Sequence, residues 1–241
     1  MLIISSNFNN LGIMHDFLFK LLRVSASSAS AEAKLSFRYD SSIVTKIEFY
    51  MQIKSFFPVG MEASWQTELP QLEPNLNSWL NDAGSLTAKL KALSNNFRVE
   101  LLGQQQLHAH NSEIQFLGIT DTHLCIVREV LLNSDDESWV FARSVLPVSS
   151  LSDEDQALAE MGNNPLGEVL FQNSSIVPGD IQVAQFDQAS NVVRLDNTLH
   201  ANSVTSLFGR RRLFHLQNGP ILVAEVFLSA APCYAESKAS I

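Results

Sequence analysis

Two residues of opposite charge stand on strand faces that are otherwise apolar. Read as a strand, residues 124–132 place Arg128 on one face together with Leu124, Ile126, Val130 and Leu132. Glu225 lies in the same way on a later strand, on one face with Ile221, Val223 and Phe227. A buried charge is costly unless it is paired or meets a counter-ion. One buried cation and one buried anion on long strands therefore predict an enclosed site for a small anionic ligand.

A third charge follows the same pattern on the next predicted strand. Arg143 alternates there with Trp139, Phe141 and Val145. It could supply a second positive charge to the anion site, or it could pair with a carboxylate such as Glu129. Glu225, in turn, could form a buried ion pair with Arg128 itself. The pattern of alternation leaves both alternatives open.

Motifs for metal or nucleotide chemistry are missing from the sequence. The six histidines are scattered, and His108 and His110 have no third ligand nearby, so we expect a polar loop there. No Walker A, dinucleotide-binding or Gly-x-Ser-x-Gly pattern occurs. The sequence therefore predicts no metal and no nucleotide cofactor.

Composition is typical of a globular protein and narrows its partners. Of the 241 residues, 46% are hydrophobic, and the formal net charge is −9. That charge argues against nucleic acid as a partner, although Arg210, Arg211 and Arg212 form one basic cluster. No apolar run is long enough to span a bilayer, so we expect no membrane anchor. Two cysteines are too few for a disulfide framework and fit a reducing cytoplasm.

The first 60 residues differ from the rest of the chain. They carry six basic and four acidic residues, a net of +2, whereas residues 61–241 carry ten and 21, a net of −11. Residues 11–24 are compatible with a short amphipathic helix, but no basic segment precedes them, which argues against a signal peptide. We expect residues 1–60 to be an extension outside the domain at 61–241, with the true start at Met61 or Met51.

From residue 61 onward the sequence predicts an α+β domain. Helices are expected at 74–80 and at 86–93, the second capped by Ser85. Further helical segments are expected at 152–161 and from Asn164-Pro165-Leu166-Gly167. Predicted strands occupy 97–107, 124–132, 139–145, 207–217 and 220–228, the last two joined by an Asn218-Gly219 turn. Mostly antiparallel strands with helices between them indicate an α+β fold.

Five ordered segments together resemble one known family. They are 128–132 (Arg-Glu-Val-Leu-Leu), 139–147 (Trp-Val-Phe-Ala-Arg-Ser-Val-Leu-Pro), 164–167 (Asn-Pro-Leu-Gly), 207–211 (Leu-Phe-Gly-Arg-Arg) and 224–228 (Ala-Glu-Val-Phe-Leu). In order and spacing this series resembles the chorismate pyruvate-lyase family over about residues 61–235. None of the segments is specific alone, whereas the ordered series is.

The resemblance implies a cytoplasmic, monomeric enzyme that needs no metal and no organic cofactor. Such an enzyme converts chorismate into 4-hydroxybenzoate and pyruvate, the first committed step towards ubiquinone. The implied fold is a single antiparallel β-sheet with helical flaps enclosing an internal ligand cavity. Some bacterial transcription regulators share this fold in their ligand-binding domains.

The resemblance also implies roles for particular residues. Arg128 matches the arginine that binds the ring carboxylate, and Glu225 matches the glutamate that meets the ring hydroxyl and could act as a base. Leu166 matches a leucine that offers its backbone amide, and Leu86 matches a further backbone contact in the flap helices. Arg143 is a candidate for the enolpyruvyl carboxylate, as are Arg210 and Arg211.

Two other classes of function remain to be weighed. The same fold could serve as a non-catalytic module that only binds a small molecule. Such modules usually follow a DNA-binding helix-turn-helix, and residues 1–60 show no pair of helices with a basic recognition face. An ordinary structural domain with a buried ion pair would explain the two charges but not the ordered series of segments.

Overall fold

The computed structural model describes residues 41–235 of the chain. The chain divides into two compact units, Met1–Gln52 and Ile53–Ile241. The helix predicted at 11–24 lies outside the described residues. No helix within 41–235 is both long enough and apolar enough to cross a membrane.

Six antiparallel strands form one sheet, and the sequence predicted five of them. Their bounds are β1 Phe97–His108, β2 Leu124–Ser134, β3 Glu137–Pro147, β4 Val177–Asp187, β5 Ser206–Leu216 and β6 Gly219–Phe227. Their order across the sheet is β1-β2-β3-β6-β5-β4. The central strands β2, β3 and β6 are buried along most of their length, which their runs of Val, Leu and Phe allow.

The described helices are mostly short. Their bounds are α1 Ser41–Lys54, α2 Pro74–Leu80, α3 Leu86–Leu93, α4 Asn111–Leu117, α5 Gln156–Ala159, α6 Leu166–Gln172 and α7 Asn191–His200, with 3₁₀ turns at Val148–Ser150 and Pro232–Tyr234. Helix α2 begins with Pro74, which has no backbone N–H to leave unpaired. Helix α3 begins after Ser85, whose hydroxyl accepts the Ala88 N–H at 3.3 Å.

The two faces of the sheet bury different helices. We call the face that carries Arg128 and Glu225 the flap face, because α2, α3, α5 and α6 pack on it. Its apolar strand residues, which contact those helices, are Val130, Leu132, Val140, Ala142, Leu146, Phe214, Ile221, Val223 and Phe227. We call the opposite face, covered by α4, α7 and residues 53–61, the back face. Because side chains alternate along a strand, neighbouring residues in sequence serve different faces.

The compact unit that contains the sheet begins a few residues before the predicted boundary. Ile53 and Val59 are buried in the back-face core together with Met61. The backbone N–H groups of Val59 and Gly60 donate to the carboxylate of Glu129 at 2.7 and 3.0 Å. Residues 53–60 therefore pack as part of the domain.

Several elements escaped the sequence analysis. Strand β4 and helices α4 and α7 were not predicted, although the buried residues of α7 recur at helical spacing. The helix expected at 152–161 is confined to α5. The Asp155 carboxylate accepts both the N–H and the hydroxyl of Ser152, and this closes a turn where the helix was expected to start.

Candidate functional site

A pocket lies between α3, α6 and the flap face of the sheet. Its lining includes Leu86, Thr87, Gly167, Phe171, Val223 and Glu225. The space open to a water-sized sphere is about 20 Å³, which holds about one water molecule. A ring-sized ligand can therefore enter only if the two helices separate or side chains rearrange.

Glu225 reaches this pocket from β6 and is held by a neighbouring arginine. Arg210 stands directly opposite on β5, and its Nε donates to Glu225 Oε2 at 2.8 Å. Within residues 41–235 the other carboxylate oxygen, Oε1, accepts no hydrogen bond. The carboxylate thus has one oxygen fixed by a cation and one available as an acceptor.

Arg128 is buried on the same face, and no acidic residue of the described part of the chain pairs with it. Only 2% of the residue is exposed. Its Nη2 donates to the backbone carbonyls of Gly162 and Asn164 at 2.8 and 2.9 Å, and its Nε has no acceptor within the described part of the chain. Loss of hydration on burial lowers the pKa of Arg128 to about 10. An uncompensated buried cation of this kind favours binding of an anion.

The structure keeps the two predicted charges apart on one face. Arg128 is opposite Ser144 across the β2–β3 pair, and Ser144 is opposite Val223 on β6, two residues from Glu225. Two strand spacings and two residues along β6 correspond to about 12 Å between the Cα atoms. The carboxylate of Glu225 pairs with Arg210, and the hydrogen bonds of the Arg128 guanidinium within residues 41–235 go to backbone carbonyls. The alternative of a direct ion pair between Arg128 and Glu225 is therefore wrong. Arg128 does not line the present pocket, and small side chains, Ala142 and Ser144, lie between them.

The two leucines predicted to offer backbone contacts start the two helices over the sheet. Leu86 is the first residue of α3 and Leu166 the first residue of α6, and both side chains are buried. Backbone N–H groups in a first helical turn have no acceptor within the helix. The helices approach closely, since a Cβ added at Gly167 would lie 3.4 Å from the Thr87 hydroxyl. The loop that Arg128 binds, 162–164, directly precedes α6 and brings Arg128 near Leu166.

Arg143 does not join this site. It lies on the back face, where its guanidinium binds Glu113 at 2.7 and 3.0 Å and Glu129 at 2.8 Å. Burial alone would lower the pKa of Arg143, but hydrogen bonds and charge from Glu113 and Glu129 outweigh it and raise the pKa. Of the two roles considered for Arg143, the structure shows the ion pair with carboxylates. Glu129 is its direct neighbour across the β2–β3 pair.

The basic cluster divides between the two faces. Arg211 points to the back face, where its guanidinium lies 4.6 Å from the ring centre of Trp65 and 4.3 Å from that of Phe116. Arg212 shares the flap face with Arg210 and donates to the backbone carbonyls of Gly179 and Ala83. Of the three arginines considered for the enolpyruvyl carboxylate, Arg210 and Arg211 both belong to the lining of the pocket, but the guanidinium of Arg211 lies on the back face.

The sequence analysis missed Thr87 as a pocket residue and Arg210 as the partner of Glu225. Register could have revealed Arg210. A two-residue turn at Gln217-Asn218 pairs Leu216 with Gly219 and, counting back, Arg210 with Glu225. The predicted turn at Asn218-Gly219 shifts this register, so that Arg210 would not stand opposite Glu225. No comparable signal marks Thr87, because its position depends on how α3 packs.

These features together define a class of protein. An antiparallel sheet that buries an unpaired arginine, beside a closed pocket under two helices, forms an α+β domain suited to a small anionic ligand. The chain belongs to the chorismate lyase family, whose model matches residues 60–239. The structure shows the single antiparallel sheet with helical flaps that the resemblance implied.

Relatives from several bacteria agree with this membership. A probable chorismate pyruvate-lyase of Shewanella sp. (strain W3-18-1) is 40% identical over 73% of this chain and 93% of its own length. Proteins with the same description from Psychromonas ingrahamii and Pseudoalteromonas translucida are 38% and 39% identical, over 96% and 98% of their lengths. Among solved structures, PhnF from Mycobacterium smegmatis matches with a TM-score of 0.45 and 16% identity, over 80% of this chain and 87% of that one.

Proposed function

We propose that this protein converts chorismate into 4-hydroxybenzoate and pyruvate. Family membership supports the reaction, and the buried, unpaired guanidinium of Arg128 is the single observation that carries it to this chain. The ligand of a site that leaves a cation uncompensated should bring a carboxylate. Both chorismate and 4-hydroxybenzoate carry one on the ring.

The chemistry needs little beyond positioning. The bond from the ring carbon to the enolpyruvyl ether oxygen breaks, the hydrogen on the carbon that bears the hydroxyl leaves, and the ring becomes aromatic. The departing enolpyruvate takes up one proton at its methylene carbon and becomes pyruvate, so atoms and charges balance. Aromatisation supplies the driving force, and we propose that no cofactor takes part. The protein must align the substrate and exclude water.

Arg128 and Glu225 are assigned to the two ends of the ring. The fork of donors on Arg128, including its free Nε, can bind the ring carboxylate in a bidentate manner. Glu225 Oε1 can accept the ring hydroxyl, while Oε2 stays with Arg210. Leu166 and Leu86 are assigned backbone contacts from the helices above. With these partners at both ends, the small residues Ala142 and Ser144 form a floor for the ring.

Two routes remain for the departing hydrogen. Glu225 can remove it as a general base, or it can pass within the substrate to the enolpyruvyl methylene without any base. Glu225→Gln separates the two routes, because the amide keeps the size of the side chain but cannot accept a proton in the same way. Loss of turnover with retained product binding supports the base, and normal turnover excludes it.

The direct test uses the full chain with chorismate and no added cofactor. Formation of 4-hydroxybenzoate is followed by absorbance in the presence of a chelator. We expect product in the wild type and loss of most product binding in Arg128→Ala. Binding of 4-hydroxybenzoate without turnover of chorismate would instead support the non-catalytic binding module.

The remaining assignments rest on the family resemblance. We propose that the enzyme acts in the cytoplasm as a monomer and provides the first committed step of ubiquinone synthesis. Cell fractionation and light scattering test the first two. A deletion strain that lacks ubiquinone and recovers on added 4-hydroxybenzoate would support the third, and recovery only on a later intermediate would contradict it.

A further inference from the structure

Arg210 connects the pocket carboxylate to the turn between α2 and α3. The residue is 6% exposed and stands on β5. Its Nε donates to Glu225 Oε2 at 2.8 Å, and its Nη1 donates to the carbonyls of Trp79 and Asp82 at 3.0 and 2.6 Å. One guanidinium therefore binds the candidate catalytic carboxylate and the backbone of the flap at the same time.

The flap end of this link closes the pocket. Trp79 belongs to the last turn of α2, whose carbonyls have no partner within the helix. Asp82 lies in the turn that leads to α3, and α3 places Leu86 and Thr87 over the pocket. A turn held by Arg210 thus fixes the start of α3 against the sheet.

We propose that Arg210 is a positioning residue that makes the orientation of Glu225 depend on closure of the α2–α3 flap. The guanidinium is planar and rigid, so its Nε and Nη1 cannot be aimed independently. When the flap separates from the sheet to admit a ligand, Arg210 loses its carbonyl partners and Glu225 loses a fixed orientation. When the flap closes, Oε1 is directed at the ring hydroxyl. This inference rests on the proposed function and assigns a control to the same site.

Arg212 provides a matched comparison. It holds the same turn, through a 3.0 Å hydrogen bond from its Nη1 to the Ala83 carbonyl, and its other donors bind Gly179. Unlike Arg210, it forms no hydrogen bond with a carboxylate within residues 41–235. Arg212 lines the same pocket, but Arg212→Lys keeps its positive charge and should therefore loosen the flap without removing a hydrogen bond of Glu225.

The test compares two ligands that differ only in the hydroxyl. Affinities for 4-hydroxybenzoate and benzoate are measured by calorimetry for the full-length wild type, Arg210→Lys and Arg212→Lys. A looser flap lowers the affinity for both ligands alike, whereas a misdirected Glu225 lowers only the affinity for the ligand with the hydroxyl. We expect the ratio of the two affinities to fall about tenfold in Arg210→Lys, the value of a hydrogen bond to a charged group. In Arg212→Lys the ratio should stay near that of the wild type while both affinities fall.

Each other outcome overturns a definite claim. If the ratio in Arg210→Lys equals that in Arg212→Lys, Arg210 is only a flap contact and the inference is wrong. If the wild type binds neither ligand, the proposed site itself is wrong. Urea unfolding checks that each variant is folded. If Arg210→Lys does not fold, Arg210→Gln takes its place in the comparison. The same shift in the ratio is expected for Arg210→Gln, and its absence would count equally against Arg210.

Discussion

Replacing Arg128 by methionine should change stability far less than the same replacement at Arg143. Both arginines are almost completely buried on central strands, with 2% and 1% exposure. Among residues 41–235, Arg143 has two carboxylate partners, Glu113 and Glu129, whereas the partners of Arg128 are the carbonyls of Gly162 and Asn164. The two substitutions therefore remove a cation of the same type from opposite electrostatic environments.

The magnitudes follow from these contacts. Burial lowers the pKa of Arg128 from 12.5 to about 10, which corresponds to a cost of roughly 3 kcal/mol for keeping its charge in the fold. Methionine removes that cost but also two hydrogen bonds, each worth about 1.5 kcal/mol. We expect a net change in unfolding free energy within about 1 kcal/mol of zero. Arg143→Met leaves the buried carboxylates of Glu113 and Glu129 without their cation and should destabilise by about 3–5 kcal/mol.

Urea unfolding of both variants at pH 7, with and without 4-hydroxybenzoate, measures these differences. At a ligand concentration of about 100 times Kd, the wild type should gain about 2.7 kcal/mol. Arg128→Met should gain almost nothing, because the carboxylate has lost its cation. A loss in Arg128→Met as large as that in Arg143→Met, or full stabilisation of Arg128→Met by the ligand, would refute the assignment of Arg128 as an anion-binding residue.

Three further outcomes are expected. Gly209→Ala should destabilise by about 1–3 kcal/mol, since its Cβ would lie 2.8 Å from the carbonyl oxygen of Glu225; unchanged urea unfolding would contradict this. The Asp196 hydrogen bond raises the pKa of His200. Protonated His200 therefore stabilises the fold fully below pH 6.5, and this stabilisation is lost as pH rises through the folded-state pKa of His200. His200→Gln should flatten that part of the pH–stability curve. An unchanged slope would show that His200 is not the group responsible for it. Because the pocket is closed, product release should be slow, so progress curves should bend as 4-hydroxybenzoate accumulates; linear curves insensitive to added product would argue against flap closure.

Local sequence signals predicted the helices of the flap well. The bounds of α2 and α3 agree with the prediction, because Pro74 suits the first position of a helix and the Ser85 hydroxyl caps the start of α3. The strands of the two predicted hairpins were also located to within a few residues. The shortened helix α5 shows the limit, since a favourable first turn was closed locally by Asp155 before the helix could form.

Alternation along each strand placed Arg128 and Glu225 on apolar faces of their own strands from sequence alone. That the two faces lie on one side of the sheet follows from the β2–β3 and β3–β6 registers. Alternation could not distinguish Arg128 from Arg143, because both alternate with apolar residues in the same way. What separates them is Glu113, which reaches Arg143 from α4 across 30 residues of sequence. No such carboxylate reaches Arg128 within residues 41–235.

The sequence by itself thus determined five of the six strands, the bounds of α2 and α3, and the place of each of the two charges on an apolar strand face. Only the tertiary structure decided which buried charges are neutralised within the protein. The physical reason is that side-chain alternation depends on the backbone of one strand, whereas ion pairing depends on contacts between elements far apart in the chain. The same contacts gave Glu225 its partner Arg210 and left the guanidinium of Arg128 without a carboxylate within residues 41–235.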